Sequence, residues 1–303
     1  AKPNFYQNAQ AKAEELSQVL CDVIHKLRLE MVRLQKEKIM FIHFSLLRVG
    51  LEKNIYQVLA QGMDARWYLD TEPAEVEFDL NFLFSMWGNV RQTLIESSRK
   101  YLGRVNRYDV EHQLAAAIME CNSMLAQLLR FMFRDIEENP DFIEMDKWNT
   151  WGIFWGEYRD KTERIAYVNR EKKEQLDWER ALRQTKNDET SMVESFWYQA
   201  ELKHSDCKGK QLYFVQFEEC VLENISFDNA ILTGARFKNC QIRHCSFCNA
   251  TIHQGEFSGC SWEENTFKGA DMLHSVFMEN ELPFIHLEPE QLQVILVDRG
   301  QWQ

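Results

Sequence analysis

The sequence has no run of 18 consecutive apolar residues, the minimum that reads as a membrane-spanning helix. Its greasiest stretch, Ile39 to Leu51, carries His43 and Arg48, which suits a buried helix instead. No phosphate-binding G-x-x-x-x-G-K-[ST] loop is present, nor a G-x-G-x-x-G, a G-x-S-x-G or an H-E-x-x-H. Cations are in short supply: 35 Lys and Arg stand against 47 Asp and Glu, a formal net charge of −12. The deficit runs through the chain, with 27 against 32 in residues 1–200 and 8 against 15 in residues 201–303. So acidic a chain repels phosphates, and neither direct nucleic-acid binding nor a membrane partner is expected. Proline is scarce, with only Pro3, Pro73 and Pro140 in residues 1–200, so little there interrupts a helix. The polar start at Ala1 is read as lacking a signal peptide, and a cytoplasmic protein is expected.

What is present is a beat of five. From Leu212 through Phe217, Leu222, Phe227, Leu232, Phe237, Ile242, Phe247, Ile252, Phe257, Trp262, Phe267, Met272 and Phe277 to Leu282, a large apolar residue occupies every fifth position. A helix repeats at 3.6 residues and a strand at 2, so neither explains it. Two places before each centre the residue is mostly small: Cys220, Ala230, Ala235, Cys240, Cys245, Ala250, Gly255, Cys260, Ala270 and Ser275. Two places after it, Asn or Gly recurs: Asn224, Asn229, Gly234, Asn239, Asn249, Gly259 and Gly269. Both residues tolerate the positive φ that a tight corner requires. Fixed-period self-similarity of this kind marks a solenoid, in which each repeat stacks on the next.

In stretches such as Asn229-Ala230-Ile231-Leu232-Thr233-Gly234 and Gly269-Ala270-Asp271-Met272 the chain resembles the pentapeptide-repeat family. The resemblance implies a right-handed quadrilateral β-helix with four pentapeptides per coil. Residues 20 apart then share a column, and the sequence sorts itself accordingly. Phe217, Phe237, Phe257 and Phe277 make one column; Phe227, Phe247 and Phe267 a second; Leu222, Ile242 and Trp262 a third; Leu232, Ile252 and Met272 a fourth. The centres make three to four coils, a rod of about 15–20 Å at strand spacing.

Residues 1–200 read as helical. Amphipathic stripes predict a long helix over residues 8–48, with Leu16, Val19, Leu20, Val23, Leu27, Met31 and Leu34 on one face, and further helices over 54–61, 77–102 and 109–137. Pro140 opens another that carries Trp148, Trp151 and Trp155, a charged helix follows over 160–186, and a short one carries Met192, Phe196 and Trp197. The expected fold class is therefore α+β multidomain. An α-helical domain at 1–202, read as an antiparallel bundle or an α-rich array, precedes a short pentapeptide-repeat β-helix at 203–287, and a capping segment at 288–303 includes a short helix over Glu290–Val297.

Few residues suggest chemistry. Cys245 and Cys248 have the C-x2-C spacing of zinc ligands, but the register turns one inward and the other outward. Asp22-x-x-His25 and Glu201-x-x-His204 have the carboxylate-x-x-His spacing of di-iron bundles without partner glutamates. No metal and no cofactor are expected, and the cysteines read as reduced thiols, four of them small inward fillers. Trp148, Trp151 and Trp155 follow i, i+3, i+7 and form either core or a partner-binding ridge. Glu218, Glu219, Glu223, Asp228, Glu263 and Glu264 project outward as a candidate acidic face. Members of the family resembled protect type II topoisomerases by imitating DNA phosphates; here Arg236, Lys238 and Arg243 interrupt such a stripe. The expected function is a non-catalytic protein-interaction or scaffold role in a bacterial-type protein, with a possible homodimer through the C-terminal end or the helical domain. A topoisomerase protector or inhibitor is the alternative, and an enzyme with an unrecognised site in the helical domain the third reading.

Overall fold

A computed structural model describes residues 2–101 and 103–299. They form two compact units, Ala1–Val168 and Asn169–Gln303. The division lies upstream of the expected boundary at 202/203, because the segment after Val168 already belongs to the solenoid's own end structure.

The first unit contains the expected helices, but it also contains a sheet. In chain order it runs α1 (Lys2–Ala11), α2 (Ala13–Arg33), β1 (Ile39–Leu46), β2 (Gln57–Met63), β3 (Ala74–Asp79), α3 (Asn81–Phe84), α4 (Met86–Ser98), α5 (Arg107–Glu137), α6 (Pro140–Glu144), β4 (Lys147–Glu157) and β5 (Thr162–Asn169). The strand order is β3-β2-β1-β4-β5, with β1 antiparallel to β2 and parallel to β4. A helical bundle is thus corrected to helices packed on a mixed sheet. Leu16, Leu20, Val23, Leu27 and Met31 do form the buried stripe of α2, and Leu114, Ile118, Cys121, Leu125 and Leu129 that of α5. Opposite them lies one face of the sheet, where Phe44 stacks on Trp155 at 5.7 Å and meets Phe133 at 5.7 Å. The helices expected over 8–48 and 54–61 give way to β1 and β2, and that over 160–186 to β5 and a later helix. Leu102, the expected end of another helix, lies outside the described residues.

The second unit opens with α7 (Gln175–Gln184), followed by β6 (Phe196–Tyr198), β7 (Glu201–Asp206), β8 (Gln216–Glu218), β9 (Val221–Ser226), β10 (Arg236–Lys238), β11 (Gln241–Arg243), β12 (Glu256–Ser258), β13 (Ser261–Glu263), β14 (Val276–Met278), α8 (Pro289–Leu292) and β15 (Leu296–Asp298). It is a four-sided β-helix of about 5 turns over 196–298. Two sides are parallel sheets, β15-β14-β12-β10-β8-β6 and β13-β11-β9-β7. The other two sides are stacked turns, in which the N–H two places before one centre bonds to the preceding centre's carbonyl, as from Ala230 to Phe227 at 3.0 Å and Ala250 to Phe247 at 3.1 Å. Phe217 pairs with Phe237 and Ile242 with Trp262, which is the 20-residue register read from the sequence.

The columns fill the interior. The first Phe column stacks at 5.1, 4.7 and 4.6 Å and the second at 4.9 and 4.7 Å. The corners from Phe214 to His274 all take positive φ, including Glu219, His244, Gln254, Glu264 and His274, which are neither Asn nor Gly. The small inward residues also have a polar task. Cys220, Cys240, Cys245 and Cys260 each donate a thiol hydrogen to the backbone carbonyl 23 residues earlier, at 3.3, 3.3, 3.5 and 3.2 Å.

Both ends of the solenoid are closed by side chains that take the place of a missing coil. At the start, Trp178 covers Trp197 at 4.9 Å, and the Gln175 amide both accepts from and donates to the backbone of Lys203, at 2.9 and 3.1 Å. At the far end, Gly269 N–H donates to Glu288 Oε2 at 3.0 Å, where Asn249 one coil earlier donates to a backbone carbonyl. Gln291 Nε2 reaches the carbonyls of Phe267 and Ala270 at 2.7 and 2.9 Å. Glu281 accepts from Cys260 N–H and from Trp262 Nε1, both at 2.9 Å. The capping helix expected over Glu290–Val297 is shorter, and Val297 instead continues the Phe277 column as a strand. Residues 300–303 of the expected cap lie outside the described residues.

Candidate functional site

The tryptophan ridge does not form. Its three residues sit on β4, not on a helix, so alternation replaces the i, i+3, i+7 spacing. Trp151 and Trp155 point with Ile153 into the core, at 5 % and 1 % exposure, while Trp148 is 50 % exposed. Trp155 Nε1 donates to Asn122 Oδ1 at 2.8 Å, and Asn122 Nδ2 donates to Gly156 O at 3.0 Å, so the buried indole is satisfied. Gly152 and Gly156 serve the strand's other face. A Cβ on Gly152 would come within 2.9 Å of the Phe154 ring, and one on Gly156 within 2.3 Å of the Lys161 carbonyl.

The six acidic residues do not make one face. Glu218 lies on the longer sheet, Glu223 and Glu263 on the shorter, Asp228 on a turn side, and Glu219 and Glu264 at corners. Three meet a cation: Glu218 pairs with Arg170 at 3.0 Å, Glu223 with Lys203 at 3.2 Å and Glu263 with Arg243 at 3.4 Å, while Glu264 lies 3.2 Å from the His244 ring. Glu219 accepts from Gln199 Nε2 at 2.8 Å, and Asp228 from Cys248 N–H at 3.0 Å. On the shorter sheet one column reads Lys203, Glu223, Arg243, Glu263 and alternates in sign coil by coil. Arg236 likewise pairs with Glu256 at 3.0 Å. Along these columns the charges offset one another and do not add into an anionic stripe.

The spacing motifs separate as well. Cys245 is buried and faces inward, whereas Cys248 is half-exposed and lies 3.9 Å from Thr266 Oγ1. His25 pairs with Asp141 on α6 at 3.0 Å, not with Asp22, and the His25 and Arg28 side chains hold the Asp141 carboxyl below its ordinary range. Among the described residues no three His, Cys, Asp or Glu side chains are placed to hold a metal, and no helix is long and apolar enough to cross a membrane.

One polar cluster escaped the sequence reading. On the sheet face away from α2, His43 is fully buried between Ser45 Oγ, 2.8 Å from Nδ1, and the Tyr68 hydroxyl, 3.3 Å from Nε2. The tautomer decides which partner donates to which nitrogen. Burial pushes His43 down to about 4, so the ring is neutral at ordinary pH. Trp67 and Phe154 pack edge-on against each other at 4.7 Å, with the Phe154 ring 6.4 Å from that of His43. Ser45 is also fully buried, so its hydroxyl has no path to a substrate and the trio reads as a satisfied core network. The alternation of His43 and Ser45 on one strand was the available signal, hidden by reading that stretch as helix.

Residues 210–287 match the family model described as pentapeptide repeat region, and this segment is a pentapeptide-repeat module. Similar solved structures include QnrB1, titled a plasmid-mediated fluoroquinolone resistance protein, at 20 % identity and a TM-score of 0.28 over 29 % of this chain and 45 % of that one. HetL from the cyanobacterium Nostoc sp. strain PCC 7120, titled a pentapeptide repeat protein involved in heterocyst differentiation regulation, is similar at 15 % identity and a TM-score of 0.27, over 28 % of this chain and 39 % of its own. The chain thus spans less than half the length of either. None of the curated proteins compared matches the chain.

Proposed function

We propose that the chain is a cytoplasmic interaction or scaffold protein whose solenoid meets a protein partner through its outer sides. The observation that carries this reading is the packed interior: stacked Phe columns with the Leu, Ile and Met columns between them fill the bore, so recognition falls to the outside. The two sheet sides are rigid, since each inner strand is bonded to the coil before and after it. Cross-linking mass spectrometry of the full chain with a captured partner tests the reading. Cross-links from the outward Lys203, Lys238 and Lys268 support it; cross-links confined to residues 1–168 reject it. Protection or inhibition of a type II topoisomerase by charge mimicry has weaker support, because the carboxylates it would use are paired with cations on neighbouring coils. A supercoiling assay with a purified topoisomerase decides that alternative directly. Self-association through the C-terminal end is supported by β15, the outermost strand of its sheet, whose Leu296 and Val297 are exposed. Sedimentation over a range of concentrations, with Val297→Lys as the disrupting variant, tests it.

A further inference from the structure

We propose that the first unit holds a separate recognition site for an arginine side chain of a partner protein, built around Trp148. A cleft of about 560 Å³ lies between the segment following α2, the loop after β2 and the start of β4. Its floor is a fixed ionic knot. Asp70, with its side chain 1 % exposed, pairs with Lys36 Nζ at 2.6 Å and accepts from the backbone of Asp64 and Glu72 at 2.9 and 3.1 Å. Arg66 is held by Asp64 at 2.6 Å. The two cations of the floor are therefore already neutralised.

The rim is different. The half-exposed indole of Trp148 lies under Lys38 Nζ, 6.0 Å from the ring, at the outer limit of a cation–π contact. Among the described residues Lys38 has no ion-pair partner. Glu37 and Glu72, which also line the cleft, make no ion pair within 4 Å among the described residues, although Glu72 acts on Arg66 from farther away. In all, three cations face four carboxylates there, so the field favours one further positive charge. An anion would instead meet four carboxylates, with Lys36 and Arg66 already paired and Lys38 alone left to attract it.

Lys38 occupies the aromatic face weakly, on a flexible stem, as an internal stand-in for the ligand. A guanidinium is the better occupant. It is planar, stacks on an indole, is less strongly hydrated than an ammonium, and offers several donors to Glu37 and Glu72. This site does not depend on the solenoid reading, since it lies wholly within the first unit.

The test uses the full chain and the peptide Ac-Gly-Arg-Gly-NH2, against the same peptide with citrulline, the neutral isostere of arginine, and against AMP as an anionic aromatic probe. Binding is followed by the indole N–H resonance of Trp148, assigned with Trp148→Phe. The arginine peptide is expected to shift that resonance saturably, at millimolar concentration, with citrulline at least tenfold weaker and AMP without effect. Trp148→Ala should weaken binding about tenfold by calorimetry, Glu72→Gln severalfold, and Lys38→Met should strengthen it severalfold by vacating the ring. No saturable shift with arginine, an equal response to citrulline, binding of AMP, or weaker binding in Lys38→Met would each overturn the proposal. Cross-links from the solenoid to a partner would be untouched by any of these results.

Discussion

Replacing Phe247 tests the solenoid at its most enclosed point. Phe247 is fully buried, stacked on Phe227 at 4.9 Å and Phe267 at 4.7 Å, with Phe237 and Phe257 edge-on at 6.1 and 6.4 Å. Truncating a core Phe to Ala costs about 3–5 kcal/mol. The rigidity of neighbouring coils, fixed by ladder bonds on both sides, prevents collapse into the space and favours the upper part of that range. Phe247→Asp adds an unpaired carboxylate in an apolar bore, at a further cost of several kcal/mol. Against a typical total of about 5–15 kcal/mol, the second variant should not fold its solenoid. Lys238→Glu is the control. Lys238 lies on an outer side, one coil after Glu218, and a like-charge neighbour there costs about 1 kcal/mol or less. Calorimetry of the full chain should show the solenoid transition drop by roughly 10–20 °C in Phe247→Ala and vanish in Phe247→Asp, while Lys238→Glu stays within a few degrees of the parent. Equal melting of Phe247→Asp and Lys238→Glu would refute the register.

The first unit offers a parallel comparison: Trp151→Ala should lower its stability by about 3–5 kcal/mol, whereas Trp148→Ala should change it by about 0.5 kcal/mol or less, as read by thermal melts. His43 has its folded pKa depressed to about 4 from 6.5, so the unfolded chain takes up the proton first. Stability from this group is present above pH 6.5 and lost as the pH falls toward 4, by about 3 kcal/mol when complete, and His43→Gln should flatten that part of a denaturation-against-pH curve. Burial pushes the Cys245 thiol up to about 11 and raises Cys240 well above its ordinary range. A thiol reagent at pH 8 should therefore label half-exposed Cys248 in the native protein and reach the inward cysteines only in denaturant; rapid native labelling of Cys245 would contradict the packing.

The solenoid was legible because its period is unlike that of any other element and each of its positions favours one kind of residue. Centres, small inward residues and corners could all be assigned by counting, and counting backward would have reached further. Trp197, Leu202 and Cys207 lie on the same beat and form the first coil, but the charged residues between them made the segment look like a junction. The first unit was harder for a physical reason. β1 is buried on both faces, so Phe44 and His43 alike are inside and the alternation that marks a strand is erased. Its run of apolar residues then merges with the stripe of α2. In β4, Trp148, Trp151 and Trp155 happen to satisfy helical spacing; Gly152 and Gly156, two unfavourable helix residues flanking a ring, were the better guide. The acidic face failed for another reason: the sequence shows which charges point outward, but only the 20-residue stacking shows which cation sits one coil away.

The side-chain closures at the two ends make the length of this protein a quantised variable. Gln175 fits only the strand side that carries Lys203, and Glu288 and Gln291 fit only the turn sides that end at Gly269 and Ala270. Adding five residues to the rod would keep every repeat well formed but rotate the final coil by a quarter turn, presenting a side with the wrong donors to each closure. Adding twenty would restore every match. A chain of this design can therefore grow or shrink by whole coils alone, and its natural length variants should differ by multiples of a full circuit, although its sequence repeats four times as often.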